Sequence, residues 1–139
     1  MDQEKQVTIT GHCLCGDVSF DVKGNVSAVT FCHCDQCQRW HGNYAAYTGC
    51  QLQDLVFTSN DSLAWYQSSD VARRGFCSNC GSSLFWDRLG SSGIGIAAGS
   101  LVMPTGLSPA EHIFMKSCGD YYTIKDGLPQ LKGDHDTGV

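Results

Sequence analysis

Three cysteines and one histidine crowd into seven positions in FCHCDQC, residues 31–37. Thiolates bind soft or borderline metals and act as nucleophiles in exchange. The stretch therefore permits half of a closed metal site, an open metal site that acts on substrate, or a redox thiol cluster. Two cysteine pairs stand apart from it, Cys13-x-Cys15-Gly16 and Cys77-x-x-Cys80-Gly81. Glycine follows the second cysteine of each pair, where a tight turn brings backbone N–H groups towards the sulfurs. Together the pairs supply four thiolates, the donor set of a closed structural zinc site tying early and late parts of the chain.

With those four assigned, Cys32, Cys34 and Cys37 have no second pair to complete them. Three protein ligands and a vacancy form the pattern of a catalytic zinc. His33, His41, Cys50 and Cys118 are the candidates for a closing fourth ligand. His33 lies between two ligands on a strand end, where alternation points its ring away from them. His41 follows a short helical turn and could swing inward. Cys50 and Cys118 sit singly in β-like runs, where a lone cysteine behaves as a small hydrophobe. The spacing favours the open site over the closed one.

A metal on three thiolates is a weaker Lewis acid than one on three histidines. Its natural guest is soft, and a bound thiol stays deprotonated near neutral pH. That directs the chemistry to carbon–sulfur bonds rather than to peptide or phosphate hydrolysis. Cys32, Cys34, Cys37 and His33 are then the candidate catalytic residues, and Arg39, Trp40 and His41 the candidate contacts for a bound thiol. Arg39 is the only basic side chain expected near the cluster, and it could pair with a substrate carboxylate. His33 and His41 could carry a proton to the alkoxide of a hemithioacetal. Arg73 and Arg74 read as solvated sheet-edge charges, and Gly99 and Ser100 as a turn that could offer donors to an oxyanion. Trp40, Trp65, Trp86 and Phe85 read as core aromatics.

Short strands must position these residues. QVTIT (6–10) and DVSFDV (17–22) flank GHCLCG as a hairpin with cysteines at its tip. Further β-rich runs follow at 26–33, 43–49, 54–59, 62–67, 73–77, 83–87, 93–101 and 112–115. DQCQRW (35–40) reads as one short helical turn, and TGLSPAEH (105–112) as a loop. The fold class is mainly β, with residues 1–131 as a single zinc domain and the polar 132–139 as a disordered tail.

The chain has 139 residues, 42% hydrophobic and 17% charged, which suits one soluble globular domain. Its nine cysteines are an odd number, and the N-terminus lacks a basic start followed by an apolar stretch. Both favour metal ligands in a reducing cytoplasm over a disulfide framework. A net charge of −5 with no basic run argues against nucleic acid as a partner, and no apolar stretch reaches the length of a membrane span.

In order, GHCLCGDVSF, CHCDQCQRWHG, RRGFCSNCGSSLFW, GSL, EHIF and DGLP resemble the glutathione-dependent formaldehyde-activating enzymes and their centromere-protein-V-like relatives. The resemblance implies a β-tent fold and a structural zinc on Cys13, Cys15, Cys77 and Cys80. It also implies a second, labile zinc on Cys32, Cys34 and Cys37, near which the sulfur of glutathione binds. The implied reaction is that of a carbon–sulfur lyase, joining glutathione and formaldehyde to S-hydroxymethylglutathione, or its reverse. The chain departs from the family pattern at Gln38, where a basic residue is frequent. It departs again at Cys118 and Tyr122, where lysine and tryptophan are common, and at Val102, where an acid often stands. If those positions line the pocket, the thiol or the carbonyl differs from the family's. A zinc-stabilised binding module without chemistry is one alternative. A redox sensor forming a mixed disulfide with glutathione through Cys34 or Cys37 is another.

Overall fold

Apolar residues in this chain alternate over short spans and then meet glycine, proline, serine or asparagine, which limits strands to four to seven residues. The computed structural model describes residues 8–134. In chain order the elements are β1 (Ile9–His12), β2 (Ser19–Val22), β3 (Val29–Cys32), α1 (Asp35–His41), β4 (Ala45–Gln51) and β5 (Leu55–Ser59). They continue with β6 (Leu63–Gln67), β7 (Ala72–Cys77), β8 (Ser83–Arg88), β9 (Gly93–Ala97) and β10 (Pro109–Ile113). The mainly β class expected from the sequence is what the chain adopts, and α1 is the single α-helix among the described residues.

Two sheets share one core. The smaller has the order β1-β2-β5, and the larger β10-β3-β4-β9-β8-β7-β6. Val18, Phe20 and Val22 from the small sheet pack with Leu84, Phe85, Ile94 and Ile96 from the large one. The Phe20 and Phe85 rings meet edge to face at 5.1 Å. Gly11 lies against this aromatic contact, because a Cβ there would come within 2.4 Å of the Phe20 ring. A second, smaller cluster joins Cys32, Cys37, Ala45 and Ile113 beneath α1.

Several local expectations change under tertiary pairing. β10 begins at Pro109, inside the stretch expected to be a loop, and ends before the expected strand at 112–115 does. It forms because β3 offers it a parallel partner, His112 lying beside Phe31 and Ile113 beside Cys32. Proline is tolerated as its first residue, where no ladder donor is needed. β9 stops at Ala97, and residues 98–100 tighten into a 3-10 turn instead of continuing the strand to 101. The three tryptophans are half-buried, and only Phe85 of that group is fully in the core.

Arg73 and Arg74 do not share the expected role. Arg73 pairs with Asp87 at 2.8 Å and lies 3.8 Å from the centre of the Trp65 ring. Arg74 points the other way, as alternation along β7 requires, and is 3% exposed. Lys132 and Gly133, at the start of the expected tail, accept backbone hydrogen bonds from Lys116 and Phe114. Residues 135–139 of that tail lie outside the described residues, as do 1–7. Among the described residues no helix is long and apolar enough to cross a membrane.

Candidate metal centres

The β1–β2 connection carries Cys13 and Cys15, while Cys77 ends β7 and Cys80 lies in the β7–β8 connection. Gly16 and Gly81 close the two knuckles at φ of +86° and +83°. Space is not the constraint there, since no atom would meet a Cβ at either position; the left-handed backbone is. Each glycine N–H bonds a backbone carbonyl, Gly16 to Cys13 and Gly81 to Cys77. The sulfurs instead receive N–H groups from Val18, to Cys13, and from Cys80, to Cys77.

The four Sγ atoms lie within 4.8 Å of one another. Cys13 is 3.7 Å from Cys15, and Cys15 is 3.8 Å from Cys77. A tetrahedral ion with metal–sulfur bonds of about 2.3 Å separates its sulfurs by about 3.8 Å. The donor set and its spacing therefore fit such an ion without rearrangement. Ser82 stitches the knuckles together, its Oγ accepting the Leu14 N–H at 3.0 Å and lying 3.2 Å from the Cys80 sulfur. That hydroxyl, with backbone donors, holds the Cys80 thiol down to about 5.

The second group is built on β3 and α1. Cys32 is the last residue of β3, opposite Ala45 on one side and Ile113 on the other. Cys34 caps α1, its sulfur accepting the Cys37 N–H at 3.3 Å, and Cys37 sits in the first turn. Gly42 ends the helix in the left-handed region, its N–H bonded to Gln38 O. The three Sγ atoms again lie within 4.8 Å of one another. Cys32 and Cys37 are buried, and Cys34 is partly exposed.

Hydrogen bonds from Cys32 and Cys37 hold the Cys34 thiol far below its ordinary range, while the Cys32 thiol is pushed up as donor to the other two. The three share protons in the manner of a ligand set, and a divalent cation would replace those protons. Among the described residues no fourth histidine, cysteine or carboxylate joins this group. His41 is engaged with Tyr47 Oη at 2.9 Å, and Cys50 lies in the main core, where burial raises its thiol to about 11. Cys118 is exposed.

His33 turns away from its neighbouring cysteines, as alternation predicts, and enters a buried chain that the sequence does not disclose. Its Nε2 lies 2.8 Å from His112 Nδ1, and His112 Nε2 lies 2.8 Å from Asp126 Oδ2. At the other end His33 Nδ1 is 2.6 Å from Tyr122 Oη. An ionised carboxylate only accepts, so His112 donates from Nε2 to Asp126. Tyr122 Oη also accepts the Gly119 N–H at 3.0 Å. Burial first, then His112, lowers His33 to about 4, which keeps the ring neutral.

The backbone of His33 is fixed as well, its N–H by Ile113 O at 3.0 Å and its carbonyl by Gln38 Nε2 at 2.8 Å. Gln38, a departure from the resembled pattern, also reaches Ser117 O. His33 is thus a peg between two of the clustered cysteines, held from four directions. His112→Leu leaves the buried His33 Nε2 without its hydrogen-bond partner, and about 1–3 kcal/mol of stability should be lost. Thermal unfolding checks this; an unchanged midpoint would show that the chain of rings contributes nothing.

Arg39, exposed on α1, lies 3.7 Å from Asp35. The cation at the sulfurs is Arg74, whose Nη2 lies 3.7 Å from Cys37 Sγ. Arg39 is therefore not the only basic side chain near the cluster. Trp40 donates from Nε1 to Ser83 Oγ at 2.8 Å and stacks with Tyr66. Trp40, His41 and Tyr44 line a 660 Å³ cleft together with Cys13, Ser82 and Ser100, while Cys32, Cys34 and Cys37 do not line it. Gly99 also lines it. The cleft thus runs between the four-cysteine knuckles and α1. A 630 Å³ groove elsewhere, over Cys50 and Trp86, carries neither group of cysteine ligands.

Comparison with known proteins agrees with this arrangement. A crystal structure of a Rhodobacter sphaeroides protein superposes with a TM-score of 0.58 at 26% identity, covering 72% of this chain and 97% of that one. An uncharacterised lyase of Schizosaccharomyces pombe is 30% identical over 76 residues, 55% of each chain, so the match spans about half the length of that curated relative. The family model described as glutathione-dependent formaldehyde-activating enzyme matches residues 8–117, a span that holds all seven clustered cysteines. On that match, the chain belongs to the glutathione-dependent formaldehyde-activating enzyme family.

Proposed function

We propose that the protein is a zinc-dependent carbon–sulfur lyase that adds a glutathione-like thiol to a small aldehyde such as formaldehyde, or reverses that addition. The observation that carries this reading is the three-sulfur group with no fourth donor among the described residues and one partly exposed member, Cys34. Zinc bound there would keep a guest thiol as its thiolate near neutral pH and polarise a carbonyl. Zinc on Cys13, Cys15, Cys77 and Cys80 is structural in this reading. Family membership supports glutathione and formaldehyde as the pair.

The chain's own residues supply the rest. Cys32, Cys34 and Cys37 would hold the ion, with Cys34 the partly exposed member of the three. The cleft lined by Trp40 and His41, on the helix that also carries Cys37, would take the body of the thiol. Burial first, then Arg74, lowers His41 to about 4, so it is a neutral ring at pH 7 and can accept a hydrogen bond. In the forward direction a carbon–sulfur bond forms, the carbonyl π bond breaks, and the proton lost by the thiol ends on the new hydroxyl. His41 or water carries that proton. Both ring nitrogens of His33 are occupied by Tyr122 and His112, which supports a role for His33 in holding the ligand loop.

We place the domain at residues 1–131 with a short tail, in the β-tent family of folds and in the cytoplasm, with no nucleic-acid partner. The test is metal analysis combined with turnover against a no-enzyme control. Two zinc ions per chain of unequal affinity are expected, and thiol-dependent loss of formaldehyde should rise as the weaker site fills. One tightly bound zinc with no turnover after zinc addition would favour the binding-module alternative.

A further inference from the structure

Arg74 is buried beside the three-cysteine group in a way that the proposed chemistry has not yet used. It is 3% exposed. Its Nη1 donates to Tyr47 Oη at 3.3 Å, and its Nη2 reaches Gln36 Oε1 at 3.3 Å and Cys37 Sγ at 3.7 Å. Two of these three partners are neutral, and the third is a ligand sulfur. Its Nε has no hydrogen-bond partner among the described residues. A guanidinium does not deprotonate, and an uncompensated buried charge is strongly destabilising. Something close by must carry the opposite charge.

We infer that Arg74 is the charge-balancing and positioning residue of the three-cysteine centre, making it neutral when loaded and thereby selecting an anionic thiolate as fourth ligand. Three thiolates on a divalent ion leave one net negative charge. The guanidinium cancels it, and its forked donors fix α1 through Gln36 and β4 through Tyr47. A thiol that joins the centre gives its proton to solvent and brings a second negative charge. Without Arg74 that charge would meet an anionic site; with it, the thiolate meets a neutral one. A neutral guest such as imidazole brings no charge and gains little from the arginine. The same cation, after the burial effect, keeps His41 from protonating beside the site.

This rests on the reading of the centre as metal-binding, and the experiment separates the two. Protein loaded with cobalt(II) is titrated with 2-mercaptoethanol and, separately, with imidazole, following the visible spectrum of the open site. Removing a residue that supports a metal ligand typically weakens metal affinity 10–100-fold. In Arg74→Gln kept saturated with cobalt, thiol binding should weaken by about tenfold or more, the scale of losing one charged partner, while imidazole binding changes by no more than about threefold. Arg74→Lys keeps the charge and should retain the preference for thiol over imidazole. If Arg74→Gln does not fold, the lysine variant carries the test, because loss of its preference would overturn the inference. Equal weakening of both guests in Arg74→Gln, or no change in either, would overturn it as well. Failure of the wild-type centre to bind cobalt at all would remove the proposed function with it.

Discussion

Cys13→Ser is expected to unfold the protein rather than weaken it. Cys13 is 1% exposed, and its sulfur is 3.7 Å from that of Cys15. Serine nearly conserves the volume, so no cavity complicates the result; what is lost is one of four soft ligands. Structural zinc contributes about 10–16 kcal/mol of apparent binding free energy in small domains. A whole domain is stable by only about 5–15 kcal/mol, so losing the ion removes a quantity as large as the net stability. The site joins the β1–β2 connection of one sheet to the end of β7 and the following turn of the other, so its loss separates the elements that enclose the main core. The variant should show no cooperative thermal transition by circular dichroism, and a strong chelator should do the same to the wild type. A cooperative transition within a few degrees of the wild type would show that Phe20, Phe85 and their neighbours hold the sheets together unaided.

Both ligand sets could be read from the sequence because a knuckle is a local device. Its cysteines are separated by one or two residues, and in the four-cysteine group a following glycine marks each turn. A short helical turn over 35–40 was legible for the same reason, one residue short of α1, as was the outward turn of His33, which needs only the alternation of one strand. The partners of His33 were not. His112 is 79 residues away and Tyr122 is 89, so their meeting depends on β10 lying parallel to β3. The start of β10 was hidden likewise, since proline, serine and glycine read locally as a loop. Arg74 was the most consequential omission. Two adjacent arginines must face opposite sides of β7, but which one reaches the sulfurs depends on how β7 and β8 sit against α1 and β4. No local pattern encodes that, although one of two neighbouring arginines turning inward was a signal available to alternation.

Cys34→Ser should separate chemistry from folding. Cys34 has two roles that serine divides: its sulfur belongs to the three-cysteine group, and the same atom caps α1 by accepting the Cys37 N–H. Serine is among the preferred capping residues, so α1 should keep its first turn. The hydroxyl, however, is a poor soft ligand and remains protonated near neutral pH. Bound zinc should fall from two ions to one per chain, and thiol-dependent turnover of formaldehyde should drop by more than about a hundredfold, towards the uncatalysed rate. The thermal midpoint should move by only a few degrees, because Cys13, Cys15, Cys77 and Cys80 are untouched. This contrast with Cys13→Ser is what distinguishes an open site from a second structural one. If Cys34→Ser unfolded the chain as Cys13→Ser does, the group would be structural. If it folded and kept full turnover, the reaction would not take place at these sulfurs, and the cleft against Trp40 and His41 would have to work without them.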